Sequence, residues 1–261
     1  IKTYKVVPFT PAAGLLEWVE HTTPLSTYLI GESRTAGAHV RCRPSDWSFM
    51  QCRQAIDKAS TNIAARLQAA SAKGASGQTR ELQANLQVEL RNAFDKICHN
   101  YKPVLHNFFL EKFHDPSQWY AKRGAYTRSV AVNSMVGYLV GLGDRHSANI
   151  LLEESSAEVV HIDLGIAFEQ GKCLKTPELV PFRLTRDLVD GMGVSGVEGQ
   201  MRRCCEETIK VLRANKQALL TIMEVFIHDP LYKWNLTKER ALQRQQDRDG
   251  EDGEDPGLSR A

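Results

Sequence analysis

A mostly helical α+β fold is what the 261-residue sequence predicts, on three observations. Runs of helical character fill most of the chain beyond residue 60. Strand-like segments are few and short: "TYKVVPF" near the start, and two runs around the "ESSAE" turn. Between the helical runs lies "IAFEQGKCLKTPELVPFRLT", which has no sustained period and reads as one long loop of the kind that often carries function.

Bulk properties set the class. With 42% hydrophobic and 25% charged residues, the chain has the composition of a soluble globular domain able to bury a core. A formal net charge of +2 makes no electrostatic case for nucleic acid or an anionic membrane. No apolar run approaches the ~20 residues of a bilayer span. The start, "IKTYKVVPFT", lacks the pattern of a signal peptide and an initiating Met, so it reads as a piece of something larger. The six cysteines show no CxxC spacing, which argues against zinc and for reduced thiols inside the cell.

The elements run in order. "TYKVVPF" reads as a strand ending at Pro8, followed by the apolar run "AGLLEWVEH". "TTPLSTYLIG" reads as a helix start, with Thr22 or Thr23 as N-cap and Pro24 in the first turn. Residues 33–48 read as a polar loop. The Ala/Ser/Gln-rich stretch at about 59–87 reads as an insertion, either partly disordered around "KGASGQ" or a plain surface helix pair. "LRNAFDKICHNY" and "VLHNFFLEKF" are amphipathic helical runs. A Pro-containing turn then opens a long helix whose second half is expected to be buried, and which Gly141 and Gly143 end. Strands flank "ESSAE", and two more helices run from Glu198 to the neighbourhood of Pro230 and Trp234. Residues 237–261 are charged, nearly free of apolar side chains, and expected to be disordered.

Chemistry concentrates in "GLGDRHSANILL" and the segment after it. Asp144 and Asn149 lie five positions apart, and "NILLEESSAEVVHIDLG" then leads through a hairpin to Asp163-Leu164-Gly165. Protein kinases space a catalytic-loop Asp, a metal-binding Asn and a second metal-binding Asp in this way. The residue types suit the chemistry. Phosphoryl transfer gathers charge that Mg²⁺ offsets, and Mg²⁺ prefers the hard oxygens of a carboxylate and an amide. Asp144 would accept the substrate hydroxyl's proton, while Asn149 and Asp163 would hold metal. His146 follows the acid instead of preceding it. It would either share the proton and stabilise developing charge, or only brace the loop. The bland alternative for the whole set is a group of turn and N-cap acids. The joint spacing, hairpin and long loop outweigh it.

"GLGDRHSANILL", "VVHIDLGIAFEQGK" and "VPFRLTRDLVDGMGVSGVEG" resemble the phosphatidylinositol 3-kinase-related protein kinases, from about Thr3 to Trp234. "DLGIAFEQGK" and "RRCCEETI" favour one member over its relatives. The resemblance implies the large C-terminal lobe of a PI3K/PI4K-type kinase fold. Residues 1–22 would be the last small-lobe strand and the hinge, and 23–236 the large lobe. Within it, 141–152 would be the catalytic loop and 163–183 the activation segment. Backbone groups at Glu17 and Val19 would meet the adenine edge, Trp18 its ring face, and Leu151 and Ile162 would lie beneath it. ATP with Mg²⁺, or Mn²⁺ in its place, would be the cofactors.

The implied activity is a Ser/Thr protein kinase acting on Ser/Thr-Gln sites in nuclear DNA-damage checkpoint signalling, with a cytoplasmic pool also compatible. The implied partners are a second copy and damage-sensor complexes, held through regions outside this chain, with no membrane and no direct nucleic-acid contact. Two other readings compete. A lipid kinase would need a dense basic activation loop, and here Lys172 and Lys175 are diluted by Glu169 and Glu178. A pseudokinase scaffold would have no need of all four of Asp144, His146, Asn149 and Asp163. No glycine-rich phosphate loop or small-lobe lysine is found, since Lys2 and Lys5 lie on the strand before the hinge. The family's short C-terminal module is also not found. The isolated chain is therefore expected to bind ATP weakly and not to turn over.

Overall fold

A computed structural model describes residues 1–10, 13–32, 36–72, 76–174 and 176–228. Lys175, Pro230, Trp234 and the charged tail lie outside the described residues. Two compact units result, one formed by residues 1–25 with 109 onward and the other by residues 26–108.

The first unit opens with an antiparallel hairpin of β1 (Val6–Thr10) and β2 (Ala13–Leu16), Val6 opposite Leu16. Two strands thus stand where the sequence suggested one. The first also continues through Pro8, which sits opposite Gly14 just before a register irregularity. A two-stranded ribbon is all edge, so a residue without an N–H is tolerated there. Next comes β3 (Thr22–Pro24), which corrects the expected helix N-cap. Neither hydroxyl caps: Thr22 Oγ1 donates to the Val19 carbonyl at 2.8 Å and Thr23 Oγ1 to Glu154 at 2.6 Å. Helix α1 (Leu25–Ile30) starts only after Pro24.

In the second unit, the stretch read as a polar loop contains a short helix, α2 (Ala38–Cys42). Two long helices follow, α3 (Phe49–Ala72) and α4 (Ser76–Asn100), which pack on each other and are joined by an Arg66–Glu89 ion pair. The insertion is therefore a helix pair, with 73–75 outside the described residues. Buried Tyr28 meets Phe108 edge-on at 5.3 Å, beside fully buried Val104 and Leu105.

After α5 (His106–Lys112) comes the scaffold of the first unit, α6 (Pro116–Val140). Pro116 opens the first turn and Gly141 ends the helix at φ +59°, as read, whereas Gly143 lies two residues beyond the end. The Asp115 carboxylate, not singled out from the sequence, accepts the Gln118 N–H at 2.8 Å. Pro suits the first turn, where its missing N–H costs nothing, and Gly suits the left-handed position at the end. The second half is not buried throughout. Tyr126, Val130, Asn133 and Gly137 share the inward face, whereas Tyr138 and Leu139 are 56% and 51% exposed because they fall on the opposite side of the turn.

That inward face carries β4 (Ile150–Glu153) and β5 (Val159–His161), which complete a three-stranded antiparallel sheet in the order β3-β4-β5. Ser129 Oγ accepts the Val159 N–H at 2.9 Å, and Asn133 Nδ2 donates to the Val159 carbonyl at 3.2 Å. Both Ser129 and Val159 are buried. Ser129→Ala should therefore orphan a buried N–H and cost about 1–3 kcal/mol, read as a lower thermal midpoint. The "ESSAE" turn is locked by Glu153. Burial alone would push its carboxyl up, but hydrogen bonds from Ser155, Ser156 and Lys2 prevail and hold it at about 2.

Among its described residues the long loop is irregular apart from one 3₁₀ turn at Gln170–Cys173. It ends in α7 (Arg186–Asp190), a short helix not anticipated, whose N-cap Thr185 accepts the Leu188 N–H. A kinked, non-helical turn at Val197–Met201, α8 (Arg202–Ala214) and α9 (Lys216–Ile227) follow, and α8 rests on α6. All six cysteines are free thiols.

Candidate active site

The end of α6, the loop before β4 and the loop after β5 converge at one place. Gly141 turns the chain out of α6, and residues 142–146 carry no regular structure until β4 begins. Asp144 sits there in the left-handed region, at φ +58°, and Asp163 does the same beyond β5, at φ +55°. Non-glycine residues seldom adopt this conformation, and Asp is among the few that tolerate it. Where such conformations persist, the surrounding contacts must impose them.

Here the contacts come largely from Arg145. Its buried guanidinium donates from Nε to the Gly143 carbonyl at 2.9 Å, and from the two terminal nitrogens to the carbonyls of Ile162, at 2.6 Å, and Asp163. One side chain thus ties the Asp144 loop to the Asp163 loop. Burial pulls the Arg145 pKa below its ordinary value, opposed by the charges of Asp163, Asp144 and Glu178. Asn149 closes the loop on itself: its Nδ2 donates to the Asp144 carbonyl at 2.9 Å, and its own carbonyl accepts the Ile162 N–H at 3.1 Å. Asp144, Asn149 and Asp163 thus lie on two loops that Arg145 and Asn149 tie to each other. With Nδ2 engaged, Asn149 Oδ1 is the end left to face a cation. An amide oxygen and a carboxylate are hard donors of the kind Mg²⁺ takes, together with water and phosphate oxygens.

His146 is not drawn into this group among the described contacts. Its imidazole is exposed, and its backbone carbonyl accepts the Asn149 N–H at 3.0 Å. The expected adenine residues divide. Leu151 is buried in β4, and Ile162 is half-buried between Asn149 and Arg145. Trp18 is 86% exposed and Glu17 is exposed, its carboxylate accepting the Lys5 N–H at 2.8 Å. Since the Glu17 N–H donates to the Lys5 carbonyl and the Val19 carbonyl accepts from Thr22, an adenine edge would have to meet the Glu17 carbonyl and the Val19 N–H.

Two residues of the site escaped sequence reasoning. One is Arg145, whose only signal was a cation inside a loop flanked by apolar runs. The other is Glu178, which accepts the Asp144 N–H at 2.8 Å from 34 positions away. Neighbouring His161 carries a pH signature. Burial, aided by the Arg145 charge, lowers its pKa from an ordinary 6.5 to about 4. Between those values the unfolded chain takes up the proton and the folded one does not. Stability is thus full above about pH 6.5 and falls as pH drops toward 4. His161→Gln is expected to flatten that limb, read as a smaller loss of thermal midpoint between pH 7 and pH 5.

A family profile described as "Phosphatidylinositol 3- and 4-kinase" matches residues 1–236. "Serine/threonine-protein kinase ATM" of Arabidopsis thaliana is 56% identical over 253 residues, covering 97% of this chain and 6% of that protein. "Serine-protein kinase ATM" of Sus scrofa is 48% identical over 246 residues, covering 94% of this chain and 7% of that protein. The chain thus spans less than a tenth of the length of these relatives. Among solved structures, "Complete CtTel1 dimer with C2 symmetry" is similar at TM-score 0.75 and 43% identity, over 95% of this chain and 8% of that one. "DLGIAFEQGK" and "RRCCEETI" favour the ataxia-telangiectasia mutated (ATM) member within this group, and both curated relatives bear that name.

Proposed function

The chain belongs to the phosphatidylinositol 3- and 4-kinase family, and from that premise we propose that it supplies the catalytic lobe of a serine/threonine protein kinase of the ATM/Tel1 type. The observation that supports the reading is the Arg145 clasp, which ties the loop carrying Asp144 to the loop carrying Asp163, with Asn149 bonded to the Asp144 carbonyl. In the proposed reaction a substrate Ser or Thr oxygen bonds to the γ-phosphorus of ATP, and the bond to the β-phosphate oxygen breaks. The hydroxyl proton passes to Asp144. Asn149 Oδ1 and the Asp163 carboxylate would hold Mg²⁺, which offsets charge on the phosphates when bound. Leu151 and Ile162 offer an apolar floor for adenine, and Trp18 an exposed face for its ring.

The substrate class is a protein hydroxyl followed by Gln, in DNA-damage checkpoint signalling within the nucleus. Support for protein over lipid comes from the activation segment. The Lys172 ammonium there is paired with Glu169 at 2.7 Å, so it is not part of an unpaired basic cluster for an inositol phosphate. A homodimer is supported by the two-fold symmetric relative, and damage-sensor complexes by the likeness to the ATM relatives.

The test is Asp163→Ala in the full-length protein, assayed for transfer of labelled phosphate to a Ser-Gln peptide and to phosphoinositide vesicles. Transfer to the peptide alone is expected in the wild type, with a loss of roughly 100-fold or more in the variant, since a bound cation contributes several kcal/mol to charge stabilisation. Unchanged turnover in the variant, or transfer to lipid alone, overturns the reading.

A further inference from the structure

We propose that Glu178, on the activation segment, is a positioning residue for phosphoryl transfer, holding Asp144 in its left-handed conformation by accepting the Asp144 N–H. This role rests on the kinase reading above. Asp144 has φ +58°, a conformation that local chain preference does not favour for a non-glycine residue. Its N–H lies in a stretch with no regular structure, and the Glu178 Oε1 takes it at 2.8 Å. A carboxylate is a stronger acceptor for a backbone N–H than a neutral oxygen.

The surrounding chain seats the carboxylate. The Glu178 N–H donates to the Gly171 carbonyl at 3.1 Å, which fixes the base of the side chain. Its other oxygen, Oε2, rests in a notch between Gly143 and Gly171. A Cβ added at Gly143 would lie 2.6 Å from that oxygen, and one at Gly171 would collide with it outright. Neither wall of the notch has room for a Cβ while the Glu178 carboxylate keeps this pose. The opposite side of the same loop is fixed from the activation segment as well, where the Gly143 N–H donates to the Ile166 carbonyl at 2.8 Å. Through Glu178 the segment thus reaches the Asp144 backbone. Withdrawal of the Glu178 side chain would release the Asp144 N–H while leaving in place the bonds that Arg145 makes to the Gly143, Ile162 and Asp163 carbonyls.

The experiment compares Glu178→Ala, Glu178→Gln and Gly171→Ala in the full-length protein, with kcat and the KM for ATP measured on a Ser-Gln peptide. An amide oxygen accepts the same N–H, so Glu178→Gln is expected to keep most of the wild-type kcat. Glu178→Ala is expected to lower kcat roughly 10- to 100-fold, the range for losing one hydrogen bond to a charged group, with KM for ATP unmoved. Gly171→Ala, which evicts the carboxylate without touching Asp144, should resemble Glu178→Ala. A wild-type kcat in Glu178→Ala overturns the role. So does Glu178→Gln as impaired as Glu178→Ala, because charge and not the hydrogen bond would then matter. So does a change confined to KM. A wild-type protein that transfers no phosphate overturns the kinase reading and this role together, whereas an active wild type with an unaffected Glu178→Ala overturns this role alone.

Discussion

Asp144→Asn in the full-length protein is expected to lower kcat by about 10²- to 10⁴-fold, the usual contribution of a positioned general base. The KM for ATP should stay where it is, because the nucleotide is held by other groups. Asn is the informative replacement for a conformational reason. Residue 144 sits at φ +58°, and Asn tolerates that region about as well as Asp, whereas Ala does not. The amide variant would keep the shape of the loop, the backbone N–H to Glu178 and the backbone carbonyl to Asn149 Nδ2, and would remove only the proton acceptor. Ala would add backbone strain to the chemical loss and blur the two. The measurement is steady-state phosphorylation of a Ser-Gln peptide across pH. A variant within a few-fold of wild type would move the base elsewhere, with exposed His146 the nearest alternative on the same loop.

What the sequence disclosed about this site, and what it hid, divides by how far apart the interacting groups lie. Asp144, Asn149 and Asp163 were legible because one loop and one hairpin set their spacing, and short hairpins leave little freedom in where the next residue lands. The ends of α6 were legible because Pro116 and Gly141 each act on their own turn. Arg145 and Glu178 were not. Their partners lie 17, 18 and 34 positions away, on a loop with no periodicity to announce where it returns. Thr22 and Thr23 misled for a related reason. Thr before Pro is a local helix-start signal, but pairing of β3 with β4 from residue 151 onward overrode it and turned the Thr23 hydroxyl to Glu154. The helix pair of α3 and α4 was left open because the Gly and Ser of "KGASGQ" suit a loop while the flanking Ala and Gln favour helix.

Arg145→Met is expected to loosen the site and abolish turnover, through the groups it leaves behind. Its guanidinium is the donor for three carbonyls, those of Gly143, Ile162 and Asp163, in a place where Arg145 itself is buried. Met fills similar volume but donates nothing, so these acceptors lose their partner at about 1–3 kcal/mol each where water does not reach them. The two terminal bonds matter most, because they join the loop after β5 to the loop before β4. Without them the Asp163 backbone loses the guanidinium that draws it to the Asp144 loop. Arg145→Lys should recover little. An ammonium has no planar fork, and one point donor does not span carbonyls from both loops. Hydrogen exchange in the full-length protein is the direct readout. Amides from Ile162 to Ile166 should lose protection by about two powers of ten or more, corresponding to roughly 3–5 kcal/mol for breaking a buried charged group's contacts. The strands on Ser129 and Asn133 should stay protected, because their bonds to Val159 do not involve Arg145. Protection lost equally across β5 would mean that Arg145 supports the whole lobe, and protection retained from 162 to 166 would mean that another contact joins the two loops.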